Sequence, residues 1–244
     1  AVVPIQLTRY ARLEREQDFS TSGRISAFDV AADGQKIALV SRGMLFVSDI
    51  KGKFVRQLPT AADGRVIEVK WLADNRTLLY TRTATGWLNL FTIRADGTGG
   101  ERQITSEAAN QRQVGLNHRR DRAVYLSGRN ELRLLDLSTM TSETLAREEL
   151  WGFYNDPPQF SPDDRYLAFG AYRNFEKDIL LYDFKNKKIT NITDSGVSEG
   201  EPFWSPDGNY LYFSCDRYAA SYPRGTKNSR IYRLPLQVLD QDFK

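Results

Sequence analysis

The sequence predicts an all-β fold, a propeller of four-stranded antiparallel blades with five blades recognisable. Three observations predict it. A short phrase centred on aspartate recurs five times, at Ala32-Asp33-Gly34, Ala73-Asp74-Asn75, Arg120-Asp121-Arg122, Pro162-Asp163-Asp164 and Pro206-Asp207-Gly208, with the aspartates 41, 47, 42 and 44 residues apart. A period of about 40–50 residues marks a propeller blade or a solenoid unit. Each phrase lies between two short runs rich in Leu, Ile, Val, Tyr and Phe, as buried strands are. Aromatic residues reach 12%, an enrichment that suits strands better than helices. A helical solenoid would need apolar residues at a spacing of three to four, and no sustained run of that kind is present.

The elements follow from the phrase. First strands are expected at 25–30, 66–71, 113–118, 157–160 and 201–204, and second strands at 36–41, 77–82, 122–127, 166–171 and 210–215. Between them Gly and Asn accept the positive φ of a tight turn, and Pro162 and Pro206 preset φ at its entry. Third strands are expected at 45–50, 88–94, 131–137, 178–184 and 230–236, and fourth strands at 55–58, 102–105, 143–146 and 189–193. This divides the chain into blades at about 22–63, 64–108, 109–151, 152–196 and 197–237, followed by an exit linker at 238–244. The last blade lacks a fourth strand. The run 5–13, within an N-terminal strand and linker at 1–21, could supply it and close the ring; otherwise further blades lie outside this chain or one is degenerate. Three residues before each aspartate stand Val30, Trp71, His118, Phe160 and Trp204, a slot expected to pack between neighbouring blades.

Composition bounds the function. A chain of 244 residues can bury a sizeable core as one all-β domain. A formal net charge of +3, with no Lys/Arg-rich block or recognition motif, argues against nucleic acid. Cys215 is the only cysteine, so an intrachain disulfide and a multi-cysteine zinc site are excluded. No apolar run approaches the length of a membrane-spanning helix. The start, Ala1-Val2-Val3-Pro4, is neither an intact signal peptide nor an initiator Met, so the chain is expected to be processed or excised from something longer. The compartment, exported or cytoplasmic, stays open.

Catalytic candidates are few, and none is assigned. His118 is the sole histidine; in the slot that Trp71 and Trp204 fill, a packed or hydrogen-bonded core residue is expected rather than a base. There is no Gly-x-Ser-x-Gly elbow, no two-histidine metal site and no phosphate-cradling loop, so no metal or cofactor is predicted. The pairs Asp163-Asp164 and Glu199/Glu201 show nothing that singles out a glycosidase cleft, and Asp163 is explained by its turn. Nine residues before the turn aspartate stand Arg24, Arg65 and Arg112, with Tyr154 and Ser198 in the other repeats. Equivalent positions circle a propeller axis, so three guanidinium groups there would form a positive mouth able to pair a peptide C-terminus; the alternative is three solvated loop arginines. The longest loop, 216–229, carries Tyr218, Tyr222 and Arg224 as candidate contacts.

The repeats resemble the propeller units of tricorn-type proteases, of the Tol-system periplasmic propeller and of prolyl-oligopeptidase relatives. The run Phe203-Trp204-Ser205-Pro206-Asp207-Gly208-Asn209-Tyr210-Leu211-Tyr212-Phe213, then Ser214-Cys215-Asp216-Arg217, is similar to the last-blade signature of the tricorn type, with Cys215 where Ser is usual. The opening at 25–34 with 41–47, and the exit 231–236, resemble the same family's second propeller. The resemblance implies a non-catalytic segment of a larger serine peptidase that filters or guides peptides toward downstream catalytic domains of the same chain, with homo-oligomerisation through the parent protein. It carries over no catalytic residue. The alternative is a stand-alone protein-interaction propeller resembling the Tol component.

Overall fold

The computed structural model describes residues 22–150, 156–173, 175–218 and 229–236, and every regular element among them is a β-strand. The first blade is β1 (Ile25–Val30), β2 (Lys36–Ser41), β3 (Met44–Asp49) and β4 (Val55–Gln57); the second is β5 (Val66–Trp71), β6 (Thr77–Ala84), β7 (Trp87–Arg94) and β8 (Glu101–Gln103). The third is β9 (Gln111–Leu116), β10 (Arg122–Ser127), β11 (Glu131–Asp136) and β12 (Thr141–Arg147). The fourth is β13 (Gln159–Phe160), β14 (Tyr166–Arg173), β15 (Glu176–Asp183) and β16 (Lys188–Asn191). The fifth has three strands, β17 (Glu199–Trp204), β18 (Tyr210–Cys215) and β19 (Arg230–Pro235). Every pairing is antiparallel and follows chain order, as hairpin-connected strands must. The fold is the all-β propeller that the repeat predicts. The run 5–13, Tyr154 and the exit linker lie outside the described residues.

The turns show why the repeat exists and where its sequence reading slips. In each blade one amide closes the first hairpin: Gly34 N to Ala31 O, Asn75 N to Leu72 O, Arg120 N to Asn117 O, Asp164 N to Ser161 O and Gly208 N to Ser205 O. The donating residue has positive φ every time, between 51° and 72°. Asp33, Asp74, Asp163 and Asp207 sit one residue earlier, and each accepts the amide two residues on. In the third blade that position is Arg119. Asp121 is two residues out of register, and Asn117 takes over the capping, its Oδ1 accepting the amides of Asp121 and Arg122 at 3.1 and 2.9 Å.

Two expectations are corrected by this offset. The slot residues are Val30, Trp71, Leu116, Phe160 and Trp204. His118 is instead the counterpart of Pro162 and Pro206 at the turn entry, and its side chain is 60% exposed. It is not a core histidine.

The slot does its expected work where it holds tryptophan. Trp71 and Trp204 are buried, and each indole N–H donates to the inner strand of the preceding blade, to Asp29 O at 3.1 Å and Gln159 O at 3.0 Å. A buried indole needs such a partner. Four apolar cores then join the blades in sequence. Val40, Leu45 and Val47 meet Val69, Trp71 and Tyr80; Leu79 and Leu90 meet Val114 and Tyr125; Leu126 and Leu134 meet Phe160 and Phe169; Ala168 and Ile179 meet Trp204 and Phe213. Among the described residues no such core joins the fifth blade to the first.

Candidate functional site

Interblade contact runs through the first strands, β1 to β5, β5 to β9, β9 to β13 and β13 to β17. They are therefore the inner strands, and the space they surround is the axial passage. Two adjoining cavities lie there, of about 310 and 370 Å³. The smaller is lined chiefly by Ala27, Phe28, Val69, Val114 and Pro157 with Glu68, and the larger by Asp29, Gly115, Asn117, His118, Arg120 and Gln159. Lys70, Val114 and Pro157 belong to both.

With the turn register corrected, the passage follows a rule. The residue just before each slot is Asp29, Lys70, Gly115, Gln159 and Phe203, and the first four line the larger cavity. Phe203, in the fifth blade, is 62% exposed. Sequence reading missed this ring because its third member was displaced by two residues.

The charged groups of the wall are mostly committed to holding blades together. Asp29 Oδ2 accepts the Trp71 amide at 2.6 Å and lies 3.4 Å from Arg120 Nη1, which also donates to Trp71 O at 2.8 Å. Both Glu68 oxygens accept amides of the next blade, from Gln113 and Val114, at 2.8 Å each. These amides are free because β9 is bulged there, with Gln113 at φ 57°. Asp156 repeats the device two joints later, accepting the Glu201 amide at 2.6 Å and the Lys177 ammonium at 2.9 Å. His118 donates its amide to Asp164 at 2.9 Å, and its ring Nδ1 stands 3.5 Å from the same carboxylate. Lys70 is the exception: among the described residues its ammonium has no hydrogen bond or ion pair.

The three arginines expected at a common rim are not equivalent. Arg65 and Asn110 are counterparts, since their carbonyls accept the amides of Thr83 and Gly128, each at 3.0 Å. Arg112 is two residues further on. Its guanidinium donates to Gly128 O at 3.2 Å and Leu150 O at 2.8 Å, and burial pushes its pKa down. Arg24 and Arg65 are exposed. Arg65 lies over the β2–β3 hairpin, its Nε 3.0 Å from where a Cβ on Gly43 would stand. Tyr218 is exposed with the Arg230 guanidinium 3.8 Å from its ring centroid; Tyr222 and Arg224 lie outside the described residues. Among the described residues no three His, Cys, Asp or Glu side chains converge as metal ligands. Asp163 caps its turn through the Arg165 amide, and Glu199 is buried against Arg217 at 2.9 Å.

No family model matches the chain. The chain is 26% identical over 191 residues to the tricorn protease of Thermoplasma acidophilum, which covers 74% of this chain and 17% of that protein. An uncharacterized protein of Agrobacterium fabrum is 29% identical over 89 residues, 36% of this chain and 28% of its own. Among solved structures, tricorn protease superposes with a TM-score of 0.71 at 21% identity, over 88% of this chain and 22% of the other. A putative TolB from Agrobacterium tumefaciens gives 0.61 at 18% identity, over 87% and 77%, and TolB from Acinetobacter baumannii gives 0.60 at 18%, over 83% and 50%. The chain thus spans under a fifth of the tricorn protease that it matches in sequence. Repeat, blade architecture and sequence likeness agree that this chain is a β-propeller similar to those of tricorn protease.

Proposed function

We propose that this propeller is a non-catalytic domain of a larger tricorn-like serine peptidase, and that its axial passage admits or positions peptides for catalytic domains elsewhere in the polypeptide. The observation that carries the reading is the pair of adjoining cavities beside the inner strands of the first four blades, one lined chiefly by apolar and the other chiefly by polar residues. An extended peptide has the same mixture, with backbone polar groups throughout and side chains of either kind. The wall's carboxylates are held by backbone amides, which makes it a preformed surface rather than a reacting one. Sequence likeness to a tricorn protease along three quarters of the chain supports the parent activity.

Titration of the chain with a fluorescently labelled heptapeptide tests this. Binding is expected to weaken about tenfold when Gln159→Trp fills the passage, with the β-sheet circular dichroism unchanged. Binding untouched by the plug, or no binding at millimolar peptide, would remove the reading. A stand-alone interaction propeller is the second reading, favoured by the chain's coverage of 77% of the putative TolB structure. It predicts protein partners captured at an outer face and indifference to the same plug.

A further inference from the structure

We infer that Lys70 is the specificity-determining residue of the axial passage, and that it pairs a ligand carboxylate adjacent to an apolar side chain. This deepens the passage reading above and rests on it. The inference comes from elimination on the wall. Asp29 is engaged by the Trp71 amide and by Arg120, each Glu68 oxygen accepts a backbone amide, and Arg120 is shared between Asp29 and two backbone carbonyls, Trp71 O at 2.8 Å and Val30 O at 3.4 Å. The nearby cations in the blade joints are also engaged, Arg112 by carbonyls and Lys177 by Asp156. Lys70 alone among the wall's described charged side chains has neither a hydrogen bond nor an ion pair.

Its place in the repeat explains why. In the first blade the equivalent residue, Asp29, reaches across to the Trp71 amide. A lysine cannot accept a hydrogen bond, so in the second blade the joint to the third is made instead by Glu68, two residues earlier on the same side of β5. Lys70 is thereby released from joint-making while keeping its position in the axial ring. It is partly buried and belongs to both cavities, at their junction. On one side lie Phe28 and Val69; on the other lies Gln159, which can bond a peptide backbone. An uncompensated ammonium between an apolar and a hydrogen-bonding compartment fits a carboxylate whose own residue, or neighbour, carries an apolar side chain. The carboxylate has two sources, a peptide C-terminus or an Asp or Glu side chain.

The test uses three labelled peptides against the chain: one ending in leucine with a free carboxylate, the same peptide as its C-terminal amide, and an amidated version with Glu before the leucine. The free acid, the Glu peptide, or both should bind about tenfold tighter than the neutral amide, and which of them does identifies the source. The advantage should vanish in Lys70→Met and persist in Lys70→Arg, with thermal midpoints confirming that both variants fold. If all three peptides bind native protein equally, or if Lys70→Met keeps the discrimination, Lys70 is not the determinant although the passage reading stands. If no peptide binds the native protein, both readings fail together.

Discussion

At the scale of single residues, the joints between blades rest on polar side chains placed at fixed points of the repeat. Asp164 stands at the positive-φ position of its turn, where glycine would be less strained. Its carboxylate accepts the His118 amide and the Asn117 side chain, both at 2.9 Å, so the strain is offset by two bonds to the preceding blade. Asn75 does the same more weakly, accepting the Asp33 amide at 3.3 Å. Beside the first joint, Glu101 is gripped by Arg82 at 2.5 and 3.0 Å and by the Tyr80 hydroxyl at 2.5 Å, while the Arg82 guanidinium lies 4.1 Å from the Phe91 ring centroid. Burial and the adjacent carboxylate push the Tyr80 hydroxyl up. Burial also raises the Glu101 carboxyl, but the bonds from Arg82 and Tyr80 outweigh it and hold it below its ordinary value. A depressed carboxyl stabilises the fold above its unfolded pKa of about 4.3, and that stability is lost as pH falls through the folded value. Glu101→Gln should therefore cost about 2 kcal/mol at pH 7, and the gap from native should narrow below about pH 4. Urea unfolding at pH 7 and pH 3 measures both.

At the scale of elements, strand lengths follow hydrogen-bond supply. β13 has two residues because Pro157 and Pro158 precede it and neither can donate to a ladder. The Pro158 carbonyl instead approaches the third blade, and a Cβ on Gly115 would stand 2.6 Å from it. This contact requires glycine for room, since Gly115 has no positive φ. Gly115→Ala should push the third and fourth blades apart and cost about 1–3 kcal/mol in thermal or urea unfolding. A midpoint within error of native would show that the joint can yield. Gly200 also lies at a close approach, since a Cβ there would stand 3.0 Å from Lys177 Nζ, whose ion-pair partner Asp156 ties the fourth blade to the fifth through the Glu201 amide.

At the scale of the whole molecule, stability is arranged as a row of joints. Among the described residues each interior blade is packed on both faces, whereas the first and last have one partner core each. The outer face of the first blade carries Phe28, Leu39 and Phe46 in one cross-strand row, with Phe28 66% exposed. The outer face of the fifth carries Tyr212 and Ile231, and Ile231 is 80% exposed. In blade assemblies stability sums over nearest-neighbour interfaces. Amide hydrogen exchange should accordingly be slowest in β6, β10 and β14 and fastest in β2 and β18 among second strands. Uniform protection across all five would show that a further surface covers the end blades.

The sequence by itself determined the all-β class, the five recognisable blades and the order of their strands. These depend on local matters: a turn that needs a positive φ, and apolar runs too short for helices. Four of five turn phrases keep one register, so the strands on either side could be placed from Asp33, Asp74, Asp163 and Asp207. The third could not, because Asp121 imitates the phrase while Arg120 makes the turn, and no one-dimensional signal separates an aspartate that caps from one that follows. That displacement put His118 in the core and aligned Arg112 with Arg24 and Arg65. Only the tertiary structure decided which side chains share the axis, because Asp29, Lys70, Gly115 and Gln159 lie about one repeat apart and meet only when the inner strands are set side by side. It likewise decided which charges are spent, since a carboxylate's partner is an amide of the next blade, and an amide leaves no mark in the sequence.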